Sequence, residues 1–172
     1  MTSENLLAAL EQSTKAVLQA FSSFNVDNFH EKLSETEWSA AQIAEHLLKV
    51  DISANKALSS ETVPTNRPPD EKIALIKGAM DDSSKRVAPE RVQPSSNVHS
   101  PADLLEKIKQ ERELMKETII ASDMTEACNV YKHPALGMLT KLEWVWFNIH
   151  HAERHLRQLQ QLNEKLSKQR AV

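Results

Sequence analysis

Histidine spacing in the last third of the chain is its most informative chemical feature. His151 and His155 are four residues apart in a strongly helical stretch. Residues four apart lie on one face of an α-helix, so the two imidazoles can bind the same metal ion. A third histidine, His46, lies on the apolar face of another amphipathic segment. Three neutral imidazoles with no carboxylate predict a site for one divalent metal ion with an open coordination position.

Other polar residues near this pair have less direct interpretations. His150 is five residues before His155, a spacing that turns the two side chains apart, so we expect it to flank the site. Asn148 either reaches the pocket or makes a hydrogen bond between helices. Gln158 either orients a ligand imidazole or caps the pocket. The alternative for the pair itself is a set of ordinary histidines with backbone partners, but an unpaired imidazole on an apolar stripe is costly.

Several familiar catalytic patterns are missing from the chain. Ala152 occupies the position at which a zinc protease helix would carry its glutamate base. The Glu-x-x-His pairs of di-iron carboxylate bundles are also absent. The single cysteine, Cys128, cannot form a disulfide within the chain, and we expect it to be a passive apolar side chain.

Composition favours one all-α domain spanning residues 1–172. The chain has 172 residues with only 2 Gly and 5% aromatic residues, and strong helix formers are plentiful. The net charge of −3 gives no electrostatic reason to bind nucleic acid. No apolar run approaches the roughly 20 residues of a membrane span, and the N-terminus does not resemble a signal peptide. We therefore expect a cytoplasmic protein that does not bind membranes.

Four long helices must position the histidines. The first is predicted over Glu4–Phe24, and the others begin at Ser39, Ser100 and Thr140. Ser39 with Gln42, and Thr140 with Glu143, have the spacing of a capping box, while Ser100 precedes a proline at the first helical position. The apolar stripe of the second helix contains His46, and that of the fourth contains His151 and His155, so all three should point inward.

Two long connections join these helices. The segment Glu61–His99 carries five prolines, so most of it cannot be helical, although a short helix is predicted over Asp70–Asp82. Its length could cross the bundle end to end, which would let the second and third long helices run parallel. The segment Ser122–Leu139 is predicted to be a second long loop.

Two motifs together resemble those of the DinB/YfiT-like superfamily. Residues 38–47 (WSAAQIAEHL) are similar to the start of its second helix. Residues 133–144 (HPALGMLTKLEW), followed by His151-x3-His155-x2-Gln158, resemble its last helix and the entry to it. The resemblance implies an up-down-down-up four-helix bundle, usually dimeric, with zinc or nickel held by His46, His151 and His155. Leu156 and Arg157 depart from the Arg-Gly that many relatives have before the glutamine, which leaves the ligands unaffected.

The same resemblance implies an enzyme that acts on a small-molecule substrate. Relatives include S-transferases and an isomerase that depend on low-molecular-weight thiols, and others described as metal-dependent hydrolases. Because no general base is evident beside the ligands, the sequence favours activation of a thiol over activation of water. The alternative is a non-catalytic metal-binding or structural bundle protein, for which a closed, four-ligand site would be typical.

Overall fold

The computed structural model of the protein describes residues 3–82, 84 and 87–170. The predicted all-α fold class is confirmed, and the helix bounds agree with the predictions to within about three residues. The predicted domain limits, residues 1 and 172, lie outside the described residues. The helices are α1 (Ser3–Ser22), α2 (Ala40–Leu58), α3 (Ile73–Asp81), α4 (Pro101–Ala121) and α5 (Lys141–Arg170); the strands are β1 (Thr62–Val63), β2 (Ala127–His133) and β3 (Gly137–Thr140); and Glu90–Val92 form a 3-10 turn.

The long helices begin where their capping residues predict. The Ser39 hydroxyl accepts a hydrogen bond from the Gln42 backbone N–H, and the Gln42 side chain accepts one from the Ser39 N–H. Thr140 and Glu143 make the same reciprocal pair at the start of α5, with distances of 3.1 and 3.0 Å. Ser100 caps α4, with Pro101 in its first turn. Each cap satisfies backbone N–H groups that have no partner within the helix.

Two apolar clusters form the core. The half of each helix that lies in a given cluster shows in which direction that helix runs. The hairpin-side cluster holds the N-terminal halves of α1 and α5 and the C-terminal halves of α2 and α4. The distal cluster holds the opposite halves of the same four helices. Helices α1 and α5 therefore run one way and α2 and α4 the other, which is the predicted up-down-down-up order. Within the described residues, no helix is both long and apolar enough to cross a bilayer.

The prediction of a loop over Ser122–Leu139 was wrong in part. Strands β2 and β3 form an antiparallel hairpin there, and β1 adds a short third strand at the edge of β2. The register shifts between Ala127 and Lys132, so the bulged strand does not show regular alternation of buried and exposed residues. The hairpin turn depends on Gly137, whose φ of 68° lies in the left-handed region.

A buried carboxylate attaches the long connection to the start of α5. Glu143 accepts two hydrogen bonds from the Arg67 guanidinium, at 2.7 and 2.6 Å, and a third from the Lys72 backbone N–H. The Lys72 ammonium group donates to the carbonyls of Leu136 and Met138 in the hairpin. These contacts hold the connection, the hairpin and the first turn of α5 together at one end of the bundle.

Alanine substitutions at the two glycines should change the free energy of unfolding in opposite directions. Gly137→Ala should lower the free energy of unfolding by about 1–2 kcal/mol, because alanine is strained at positive φ. Gly78→Ala should raise it by about 0.5–1 kcal/mol, because Gly78 lies within α3 and alanine is the better helix former. An added Cβ would meet nothing within 4 Å at either position, so backbone conformation alone decides the sign. Urea denaturation measures both, and a loss of stability in the Gly78 variant would contradict this explanation.

Candidate metal centre

The three predicted histidines meet in the interior of the bundle. His46 comes from α2, and His151 and His155 come from α5. The Nε2 atom of His151 is 3.3 Å from Nε2 of His46 and 3.3 Å from Nε2 of His155. All three residues are at least nine-tenths buried. One nitrogen from each ring therefore faces a common point, as the sequence predicted.

Hydrogen bonds at the far side of two rings determine which nitrogen faces that point. Nδ1 of His46 donates to the Val92 carbonyl at 2.7 Å. Nδ1 of His155 donates to the Gln158 side-chain oxygen at 2.9 Å. With the proton on Nδ1, a neutral imidazole has its lone pair on Nε2. Two of the three rings are thus held in the tautomer that a metal ligand requires.

The spacing of the nitrogens fits a divalent cation. Metal–nitrogen distances of 2.0–2.1 Å in a tetrahedral site place neighbouring ligand nitrogens about 3.3–3.4 Å apart. The two 3.3 Å separations around His151 match that value. Lone pairs converging at this distance repel each other unless a proton or a cation lies between them. His46, His151 and His155 are the residues that could hold the metal.

Burial keeps the three imidazoles neutral. The pKa of His46 is lowered because burial disfavours the charged ring, and the Lys49 charge lowers it further. Burial, with the charges that His155 and His46 would carry, puts the pKa of His151 well below its usual value. Burial and His46 lower the pKa of His155 to about 3. Each ring is therefore neutral near pH 7 and has one nitrogen lone pair with which it could bind a cation.

Aromatic side chains surround the histidines. The indole of Trp38, just before α2, lies nearly parallel to the His155 ring at 6.4 Å and contacts the His46 ring at 4.9 Å. Phe147 stacks on His151 at 5.5 Å. His133, in the hairpin, packs edge-on against Phe147 at 4.7 Å. Trp38 and Phe147 thus cover two of the histidine rings, and Phe147 links the cluster to the hairpin.

His133, the first residue of the 133–144 motif, has a structural role in the hairpin turn. Its Nδ1 accepts hydrogen bonds from the backbone N–H groups of Ala135 and Leu136. Burial and the Arg91 charge lower its pKa to about 4, so the ring stays neutral and can accept both bonds. The role of His133 is therefore to hold the turn and to pack against Phe147.

A polar layer next to the histidines was not predicted from the sequence. The guanidinium of Arg112 on α4 donates to Asp51 on α2, to Ser13 on α1 and to Asn148 on α5, at 3.1, 3.2 and 3.4 Å. All four residues are buried. Each interrupts the apolar stripe of its own helix, with apolar residues on both sides, and that interruption is the signal that could have found them. We call this set the polar layer.

The structure also locates the other residues for which the sequence predicts a role. His150 is not part of the cluster and bonds to Glu153, so it flanks the site as expected. Asn148 makes a hydrogen bond between helices, which was one of its two alternatives, and Gln158 orients a ring of the cluster. Cys128 is buried, and burial raises its pKa to about 11, as befits an inert thiol.

Comparison with known proteins shows the family to which this chain belongs. The model of the DinB superfamily matches residues 9–159. The chain belongs to the DinB superfamily. It is 28% identical over 142 residues to the uncharacterized protein YuaE of Bacillus subtilis, covering 83% of this chain and 87% of YuaE. Its fold is similar to that of YfiT from Bacillus subtilis, with a TM-score of 0.63 and 15% identity, over 96% of this chain and 87% of YfiT. YfiT is described as a probable metal-dependent hydrolase with an unusual four-helix bundle topology.

The buried neutral histidines predict acid-sensitive folding of the metal-free protein. Their pKa values are lowered by folding, so the unfolded chain binds more protons, and stability present above pH 6.5 is lost as the pH falls toward the lowered values. Each such histidine contributes up to about 1.4 kcal/mol per pH unit below its unfolded pKa. Urea denaturation with a chelator present should show this slope between pH 6 and 4.

The matched variant for that measurement is His155→Gln. It removes one titrating ring from the cluster, so its stability should depend less steeply on pH than that of the wild type. Equal slopes in the two proteins would show that the cluster does not control the acid sensitivity.

Proposed function

We propose that the chain is a metal-dependent enzyme in which His46, His151 and His155 hold one divalent cation. The observation that carries the proposal is the convergence of three buried Nε2 atoms at 3.3 Å spacing around His151. The tautomers fixed by Val92 and Gln158 support it, because both orient a lone pair toward the shared point. With three protein ligands, a fourth position is left for a reactant, as in catalytic zinc sites.

With three neutral ligands, a cation bound at this site would strongly polarise a thiol or water molecule beside it. Because no carboxylate is among the three ligands, a bound cation would keep its double positive charge and lower the pKa of a thiol or water molecule beside it. The chain contributes orientation, through Val92 and Gln158, and exclusion of water, through Trp38 and Phe147. Exclusion of water strengthens the electrostatic effect of any charge in the site.

Activation of a low-molecular-weight thiol is the reaction that the surroundings favour. Hydrolysis gains from a general base that takes a proton from the attacking water, whereas a thiol that has already lost its proton needs no such base to attack an electrophile. No carboxylate is grouped with the three histidines among the described residues. Four carboxylates of α2 and α5 are each paired with another group: Glu45 with Lys49, Asp51 with Arg112, Glu143 with Arg67 and Glu153 with His150. We therefore favour S-transfer, in which the thiol loses its proton to solvent, its sulfur forms a bond to an electrophilic carbon of a small substrate, and the leaving group on that carbon departs with the electron pair of the bond that breaks.

Metal-dependent hydrolysis is the second candidate. It is favoured by the shared fold with YfiT, described as a probable metal-dependent hydrolase. A water molecule in place of the thiol would use the same three histidines. A bundle that binds metal without catalysis is the third possibility, and it predicts metal binding without turnover of either kind.

We further propose that the protein acts as a homodimer on a small molecule in the cytoplasm, with zinc or nickel as the metal. The net charge of −3 supports a small substrate over nucleic acid. Imidazole ligands suit both metals, and the donor set alone does not separate them.

Metal content is the first test. The purified protein should bind one zinc or nickel ion per chain, and His155→Ala should lower the affinity at least a hundredfold, because it removes one of three ligands. His150→Ala is the matched control, since this neighbouring buried histidine bonds to Glu153 instead and its loss should leave metal content unchanged. Metal analysis after dialysis measures both, and full retention of metal by the His155 variant would exclude this site.

Turnover separates the two reactions. Zinc-loaded protein should accelerate the disappearance of a low-molecular-weight thiol in the presence of a generic electrophile such as a chlorobimane, and the His155→Ala variant should not. A panel including glutathione, bacillithiol and mycothiol identifies the thiol class. Absence of turnover with every thiol, together with cleavage of activated esters that requires metal, would replace the S-transfer proposal with hydrolysis.

A further inference from the structure

One nitrogen of the histidine cluster lacks the contact that the other two have. Nδ1 of His151 is buried and has no hydrogen-bond partner among the described residues. The corresponding atoms of His46 and His155 bond to Val92 and Gln158. A metal-binding histidine nearly always gives its second N–H to a carboxylate, a carbonyl or a water molecule, because that bond fixes its tautomer and orientation. His151 therefore needs a partner that the described side chains do not directly supply.

Two other buried atoms, Oδ1 of Asp51 and Nδ2 of Asn148 in the adjoining polar layer, lack a hydrogen bond of ordinary length among the described residues. Burial raises the pKa of Asp51, while the Arg112 and Asn148 side chains beside it act to lower it, so these two groups lie close together. Asn148 is three residues before His151 on α5, so the two side chains are neighbours on one helix face. Arg112 contacts both Asp51 and Asn148, and its charge also acts on His151. The three unpartnered atoms thus lie in one buried region between α2, α4 and α5.

The three atoms are chemically complementary. When Nε2 of His151 faces the other histidines with its lone pair, its Nδ1 is a donor, as is Nδ2 of Asn148, and Oδ1 of Asp51 is an acceptor. A buried water molecule makes about three hydrogen bonds, typically to polar groups that are otherwise unsatisfied. One water molecule can accept from His151 and Asn148 and donate to Asp51, which satisfies all three.

We propose that a buried water molecule links Nδ1 of His151 to Asp51, and that Asp51 and Asn148 are positioning residues for this histidine. Arg112 holds the other carboxylate oxygen, Oδ2, at 3.1 Å, which leaves Oδ1 for the water. Asp51 and Asn148 then have a second role besides joining the helices, since they hold Nε2 of His151 toward His46 and His155. This inference rests on the proposed function, because it takes His151 as a metal ligand.

Zinc affinity of two matched variants tests the proposal. Asp51→Asn should weaken zinc binding about tenfold to a hundredfold, the usual effect of losing the partner of a ligand histidine. Ser13→Ala is the control, because Ser13 bonds to Arg112 in the same layer but lies on α1. Its affinity should stay within about twofold of the wild type even if its stability falls. Equal weakening by both variants, or none by Asp51→Asn, would overturn the inference.

Nuclear magnetic resonance of the zinc-loaded protein gives a readout that stability does not change. The Nδ1–H proton of His151 should exchange slowly with solvent, and Asp51→Asn should shift its signal and speed its exchange while those of His46 and His155 stay unchanged. If the single variant fails to fold, Asp51→Asn combined with Arg112→Met removes both buried charges together, and the same proton is followed there. An unchanged His151 signal in a folded, zinc-bound variant contradicts the inference.

The two proposals fail in different ways. A wild-type protein that binds no zinc or nickel would overturn the proposed function. A wild-type protein that binds zinc, with Asp51→Asn binding it equally well, would leave the proposed function intact and reject only the role of Asp51 and Asn148.

Discussion

The buried guanidinium of Arg112 fixes the four long helices relative to one another. Arg112 reaches one polar partner on each of the other three, and its layer lies where the two apolar clusters meet. Apolar packing alone tolerates small shifts along a helix, whereas the donors of a guanidinium require acceptors in particular directions. Removing one partner of a buried ion pair typically costs about 3–5 kcal/mol, because the other charge is left uncompensated. The layer therefore penalises wrong helix registers, including those that would separate His46 from His151.

The long connection between α2 and α4 contributes directly to the candidate centre. It supplies the Val92 carbonyl that orients His46. Nearby contacts attach the same segment to α2, since the Lys49 ammonium group donates to the Gln93 carbonyl and the Ser95 N–H donates to Glu45. Burial raises the pKa of Glu45, but its bonds to Lys49 and Ser95 outweigh that effect and hold the pKa below the usual range. A segment that sequence patterns describe mainly by its prolines thus helps to determine a ligand tautomer.

The features of the fold and of the candidate site that could be predicted from the sequence are those specified by residues close together in the chain. Helical periodicity and the capping pairs located the long helices, and the four-residue spacing of His151 and His155 located two of the three candidate ligands. The hairpin was missed because its bulge disrupts the alternation that identifies a strand. The partnership of Arg112 with Asp51 joins distant parts of the chain and has no local pattern. The Val92 carbonyl could not be identified at all, because every residue carries the same backbone acceptor.

The three histidines are oriented by contacts of different range along the chain. This difference determines how much of the protein must fold before the centre can form. His155 is oriented by Gln158, three residues away on the same helix, so its geometry exists as soon as that part of α5 forms. His46 requires the connection to be in place, because its acceptor is 46 residues away in sequence. His151 has no direct side-chain or backbone acceptor among the described residues, and its nearest polar neighbours belong to the layer that joins α2, α4 and α5. A complete donor set therefore requires the folded bundle rather than one helix, and a cation that binds all three nitrogens would stabilise the fold by favouring the state in which they meet.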